Sequence, residues 1–141
     1  MKPALRTWIM SFVVATVVYA AVDAAWIAVV ALPQYRSQIG HLLAPTLNPV
    51  GAVAFYALFV AGMVHYGVRP NDPDATLAQR VRGGALFGFF TYATWALTAL
   101  TILDRFPAVV ALTDIAWGAA VCGIVTWVTA TLLRRTLTPV L

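Results

Sequence analysis

Charge is scarce in this chain. Of its 141 residues only 10% are charged and 62% are hydrophobic, whereas a soluble domain is about a quarter charged and roughly half apolar. A soluble core would also need a polar face on each element, and the long apolar segments here have none. The single cysteine, Cys122, excludes an internal disulfide and says nothing about compartment. Two histidines, His41 and His65, are expected on opposite sides of a membrane, so they cannot share a metal, and a lone histidine is no haem signature. No Ser-His-Asp set, metal-ligand cluster or phosphate loop occurs, so no cofactor and no metal is implied. The net charge is +4, but the basic residues are split between connecting segments. A nucleic-acid footprint would gather them in one patch, so no nucleic-acid partner is expected.

What the chain does have is four apolar stretches. A spanning helix needs about 20 such residues, because the hydrocarbon core is roughly 30 Å thick and a helix rises about 1.5 Å per residue. In hydrocarbon every backbone N–H and C=O must be paired internally, which leaves helices or closed barrels, and these runs are too long and continuous for barrel strands. The stretches predict helices over Trp8–Leu32, Val50–Val68, Gly83–Leu103 and Ala108–Leu133. The expected fold is all-α, one integral-membrane four-helix bundle over residues 1–141. The first stretch has the basic start of a signal peptide in Lys2 and Arg6, but it runs on to Leu32 with no A-x-A site at its end, so it reads as an uncleaved helix.

Orientation follows from the basic residues. Lys2, Arg6, Arg69, Arg80, Arg82, Arg134 and Arg135 fall on one side of a four-helix weave, Arg36 and Arg105 on the other. The excess places both termini in the cytoplasm. The first outer connection, Pro33–Pro49, has Tyr35, Ile39, Leu42 and Leu43 at helical spacing with polar residues between, the pattern of a short amphipathic helix over 34–44 at the membrane surface. The alternative is a plain apolar loop. The inner connection Arg69–Arg82 holds Pro70, Asn71, Asp72, Pro73 and Asp74, which is turn chemistry, and Leu77–Arg82 is a candidate early start of the third helix. The short link Asp104–Pro107 makes helices three and four antiparallel neighbours.

Two of the four stretches carry an acid in the same setting: Asp23-Ala-Ala-Trp26 and Asp114-Ile-Ala-Trp117. A carboxylate at membrane depth is costly and persists where it has a partner or a task. Counting residues puts Asp23 and Asp114 roughly 13 and 10 Å from the outer helix ends, with Tyr56, Trp95 and Thr98 in the same layer. Thr16, Tyr19, Asp23 and Trp26 form one stripe on helix one. Gly88, Thr91, Trp95 and Thr98 form one on helix three, and Asp114, Trp117 and Val121 one on helix four. These stripes are expected to turn inward as a polar belt. No Lys, Arg or His lies in this layer to neutralise the acids. Two carboxylates sharing an apolar site cannot both ionise cheaply, so the pair is expected to hold a proton and release it when a cationic or polar ligand arrives. The competing reading is that both acids are hydrogen-bonded glue between helices, worth about 1 kcal/mol each. Gly84-x-x-x-Gly88 and Ala119-x-x-x-Gly123 read as packing faces, Cys122 as a buried small hydrophobe, and Trp8, Tyr35 and Tyr66 as interfacial belt aromatics.

Tyr35-Arg-Ser-Gln-Ile-Gly-His-Leu-Leu43, Phe55-Tyr56, Gly88-Phe-Phe-Thr-Tyr-Ala-Thr94 and Asp114-Ile-Ala-Trp-Gly118 are similar to one bacterial family, the small predicted inner-membrane proteins of domain-of-unknown-function family 2177. The resemblance covers nearly the whole chain and implies four helices in a bacterial inner membrane. Family members often carry an Asp and an Asn on helix three where this chain has Ala96 and Ala99, which leaves Asp23 and Asp114 as the remaining acids. The family implies no activity.

Three function classes remain. The first binds or transports a small amphiphilic or cationic ligand with proton coupling, at Asp23, Asp114, Trp26, Trp117, Tyr19, Tyr56, Trp95 and Thr98. Such a small bundle would act in the lipid bilayer as a homodimer. The second is an accessory subunit docked on a larger membrane complex through its small-residue faces. The third, least supported, is an enzyme acting on lipid or quinone with Asp23 or Asp114 as general acid or base, for which nothing supplies a nucleophile.

Overall fold

Pro33 does not end the first helix. In the computed structural model, which describes residues 2–134, a single helix α1 runs over Pro3–Leu42. A proline inside a helix lacks an N–H and its ring collides with the carbonyl four residues earlier. The chain meets this with a π turn over Ile27–Ala31, where the Leu32 N–H reaches back to the Ile27 carbonyl. The wider turn moves the backbone off the ordinary ladder just before Pro33. The expected break at Leu32 and the separate surface helix over 34–44 are thus replaced by one continuous rod that tightens to a 3-10 turn at Gly40–Leu42. The predicted amphipathic stripe divides: Tyr35 and Ile39 turn to the bundle, while Leu42 and Leu43 stay exposed.

Three further helices follow: α2 over Pro49–Val68, α3 over Leu77–Ile102 and α4 over Ala108–Leu132. With α1 they are the four helices long and apolar enough to cross a membrane. Among the described residues there is no strand. Asn48 caps α2 by accepting the Gly51 N–H at 3.1 Å, with Pro49 in the first helical turn. Thr76 and Gln79 form a reciprocal capping box that starts α3, six residues ahead of Gly83. Arg80, read from sequence only as an orienting charge, is 3% exposed. Its guanidinium donates to the carbonyls of Val68, Arg69, Asp72 and Ala75. These include the last carbonyl of α2, which no helical N–H reaches, so one buried cation ties the α2–α3 connection together. Arg135 of the predicted inner set lies outside the described residues.

The helices alternate in direction, as the contacts between them require. Along α3 and α4, Gly84 faces Cys122 and Thr126 while Gly88 faces Gly118, an antiparallel order. A methyl group at Gly88 would strike the Gly118 carbonyl, and one at Gly84 the Thr126 hydroxyl. Only the absence of side chains lets these backbones approach. The expected face Gly84-x-x-x-Gly88 is therefore the tightest seam in the protein. On α4 the seam runs through Gly118, Cys122 and Thr126, while a methyl group at Gly123 would lie 3.5 Å from the Ala85 side chain, an ordinary contact. Ala15, Tyr19, Val60, Met63, Val64, Val121, Cys122 and Val125 fill the core. The outer surface is apolar, with Val17, Val29, Leu58, Phe90, Ile102 and Leu112 more than half exposed, as a bilayer-covered surface requires.

Candidate functional site

Both acids are buried. Asp23 and Asp114 are each 5% exposed, on the inward faces of α1 and α4, as the stripe Tyr19–Asp23 and the stripe Asp114–Val121 predict. Their surroundings differ. Asp23 is held by two other helices. Its Oδ2 accepts the Tyr56 hydroxyl of α2 at 2.7 Å, and its Oδ1 accepts the Trp117 indole N–H of α4 at 3.2 Å. Trp117 also stacks on Trp26 of α1, with ring centroids 4.1 Å apart and planes 3° from parallel. The repeated D-x-A-W segment therefore pairs crosswise: the tryptophan of the second copy serves the acid of the first.

Among the described residues Asp114 has one hydrogen-bond partner. Its Oδ2 accepts the Tyr35 hydroxyl at 2.5 Å, and no hydrogen bond to its Oδ1 is found among the described residues. One residue earlier on each helix, Gln34 donates to the Thr113 hydroxyl at 3.2 Å. Tyr35 was read as a belt aromatic; the continuous α1 instead carries it across to α4. The two carboxylates do not bond to each other. Asp114 lies three residues before Trp117, about 4.5 Å along α4, so the acids occupy adjacent levels of one layer.

A tyrosine pair lies one helical turn from Asp23. Tyr19, fully buried, and Tyr92 of α3 share a hydrogen bond at 3.1 Å between hydroxyls. Tyr92 was absent from the expected belt because the inward stripe of α3 was drawn through Trp95 and Thr98. The buried line is Gly84, Gly88, Ala96 and Ala99, and Tyr92 stands on it against Gly118. The i, i+4 recurrence of small residues was the signal that would have found it. Thr98 is exposed and borders no part of the cleft described next. Trp95 does border it, half out of the bundle.

That cleft has a volume of about 420 Å³, within the range of small-molecule sites. All four helices line it: Tyr35 from α1, Phe55 and Phe59 from α2, Thr91, Tyr92 and Trp95 from α3, and Asp114 from α4. Asp114 is its only charged residue. Asp23, Trp26, Trp117 and Tyr56 are outside it. No group of three His, Cys, Asp or Glu that could hold a metal occurs among the described residues.

A family model described as "Predicted membrane protein (DUF2177)" matches residues 8–131. The chain belongs to this family. The match takes in both D-x-A-W segments, both tyrosine partners and the whole of the cleft. Among curated proteins and among solved structures no match is found. This membrane protein family is one of unknown function, so the chemistry of the chain rests on its own residues.

Proposed function

We infer that this family member sits in a bacterial inner membrane with both termini in the cytoplasm, and that it binds or transports a small amphiphilic or cationic molecule at Asp114, exchanging a proton for it. The observation that carries the reading is a buried acid at the wall of a four-helix cleft, with one carboxylate oxygen left for a ligand. An intramembrane acid without a charged partner is a functional candidate on physical grounds. The orientation is supported by the basic residues at the end where α1 begins and α4 finishes, against Arg36 and Arg105 at the other end.

Asp23 fits the reading as hydrogen-bonded glue. With both oxygens bonded to donors from α2 and α4, it acts as glue between three helices. One feature of the accessory-subunit reading, the Gly84–Gly88 face, lies inside the bundle.

Native mass spectrometry on protein extracted gently from its own membrane tests the reading. The expected result is a discrete small-molecule adduct that disappears in Asp114→Asn and persists in Asp23→Asn. Co-purification with a larger complex, unaffected by either change and without an adduct, would contradict it.

A further inference from the structure

Resting on that reading of the cleft as a ligand site, we propose that its occupant is a weakly hydrated organic ammonium with an alkyl or aryl tail, its charge seated beside Asp114 among the rings of Tyr92 and Trp95.

The composition of the walls selects this class. Five of the seven lining residues are aromatic, one is Thr91, and the one acidic side chain is Asp114. No lysine, arginine or histidine lines the cleft, and no salt bridge to Asp114 is found among the described residues, so the group that can neutralise its carboxylate in place of a proton is a cation brought by the ligand. Aromatic faces attract cations, most strongly where water is excluded. A hard metal ion would need six or more oxygen ligands; the Asp114 carboxyl with the hydroxyls of Thr91, Tyr35 and Tyr92 does not supply them. An anion would meet the carboxylate. A neutral lipid chain would fit better in the groove between α1 and α2 bordered by Phe12, Ala20, Val53 and Ala57, which contains no acid.

The mouth of the cleft accounts for the tail. Trp95 is 54% and Phe55 45% exposed, and both stand on the apolar surface that faces hydrocarbon. A ligand therefore enters sideways from the bilayer, tail outermost. Entry exchanges one positive charge for another. The protonated carboxyl releases H⁺ to the bulk water, the carboxylate takes the ammonium, and Tyr35 donates to Oδ2 before and after. The net charge of the buried site is unchanged, which avoids the cost of an uncompensated ion.

The test is a titration of the full chain in nanodiscs of zwitterionic lipid, read by native mass spectrometry. The probes are decyltrimethylammonium, its uncharged carbon counterpart 2,2-dimethyldodecane, and decanoate. The ammonium is expected to bind saturably, about tenfold or more weaker in Asp114→Asn, and about threefold to thirtyfold weaker in Trp95→Leu, the span of a cation–π contact. Trp127→Leu, an exposed tryptophan outside the cleft, is expected to bind as the parent does. Because Trp95 is half exposed, its variant keeps the test intact if Asp114→Asn folds poorly; Asp114→Glu, which keeps the charge, is expected to retain binding. Equal binding of the neutral probe or of decanoate would overturn the cation preference and leave the ligand site standing. Undiminished ammonium binding in both Asp114→Asn and Trp95→Leu would overturn the location. Absence of saturable ammonium binding, with the native adduct still present and dependent on Asp114, would overturn this inference alone; loss of both would remove the site with it.

Discussion

Asp23 and Asp114 begin the same four-residue pattern and are buried to the same degree, yet their neighbours assign them to different work. Around Asp23 every acceptor oxygen is taken, by Tyr56 and Trp117, and the indole that donates is clamped flat on Trp26. Around Asp114 one oxygen is taken, by Tyr35, and the rest of the neighbourhood is an aromatic cleft. A buried carboxyl with its bonds filled pins helices; one with an open oxygen has capacity for a ligand. Position in the membrane and local sequence do not separate these cases. The donors that converge from other helices do.

The sharpest way to break this comparison is through stability. Asp23→Leu leaves the Tyr56 O–H and Trp117 N–H without an acceptor, and is expected to cost about 2 kcal/mol, taking about 1 kcal/mol for each bond. Asp114→Leu deprives Tyr35 alone, and is expected to cost about 1 kcal/mol or less. Unfolding midpoints in detergent check the order, and a reversed order would undo the assignment of Asp23 as the pin. Next in size is Trp117→Phe, which keeps a ring for Trp26 and removes the N–H. It is expected to cost about 1 kcal/mol and to show coupling with Asp23→Leu in a double-mutant cycle, but none with Asp114→Leu. Tyr35→Phe is expected to cost about 0.5 kcal/mol in stability and to weaken ammonium binding about threefold, since the carboxylate loses its donor. The smallest effect belongs to Thr98→Val, exposed and outside the cleft, expected to change both stability and binding within about 0.5 kcal/mol.

The architecture was legible because it depends on long-range composition: four apolar runs, a turn-rich link at Pro70–Asp74 and a short hairpin at Asp104–Pro107 require four alternating helices. The inward faces of the acids were legible too, since helix pitch groups Asp23 with Tyr19 and Asp114 with Val121; the depth counted for Asp23 was not, because it takes Leu32 as an outer helix end and α1 runs on to Leu42. Tyr35 was not, because Pro33 reads locally as a helix end and only the π turn at Ile27–Ala31 carries the helix past it. Tyr92 was missed because polarity was used to choose the inward face of α3. On that helix the inward face is set by the need for backbone approach, so Gly84 and Gly88 mark it and Thr98 turns out to the surface. The crosswise bond from Trp117 to Asp23 is a tertiary fact between residues far apart in the chain, and no local pattern encodes it.

The most direct test of the division of labour is the number of protons released when decyltrimethylammonium binds, measured in weakly buffered nanodiscs over a series of pH values for the parent, Asp23→Asn and Asp114→Asn. The cation competes with a proton at Asp114, so affinity is expected to fall as pH falls. The groups facing that carboxyl are Tyr35 from α1 and Tyr92 from α3, with Asp23 further along α1; none is basic. Proton release that survives in Asp23→Asn and vanishes in Asp114→Asn is the predicted result. Release that vanishes in both variants, or persists in Asp114→Asn, would contradict the account.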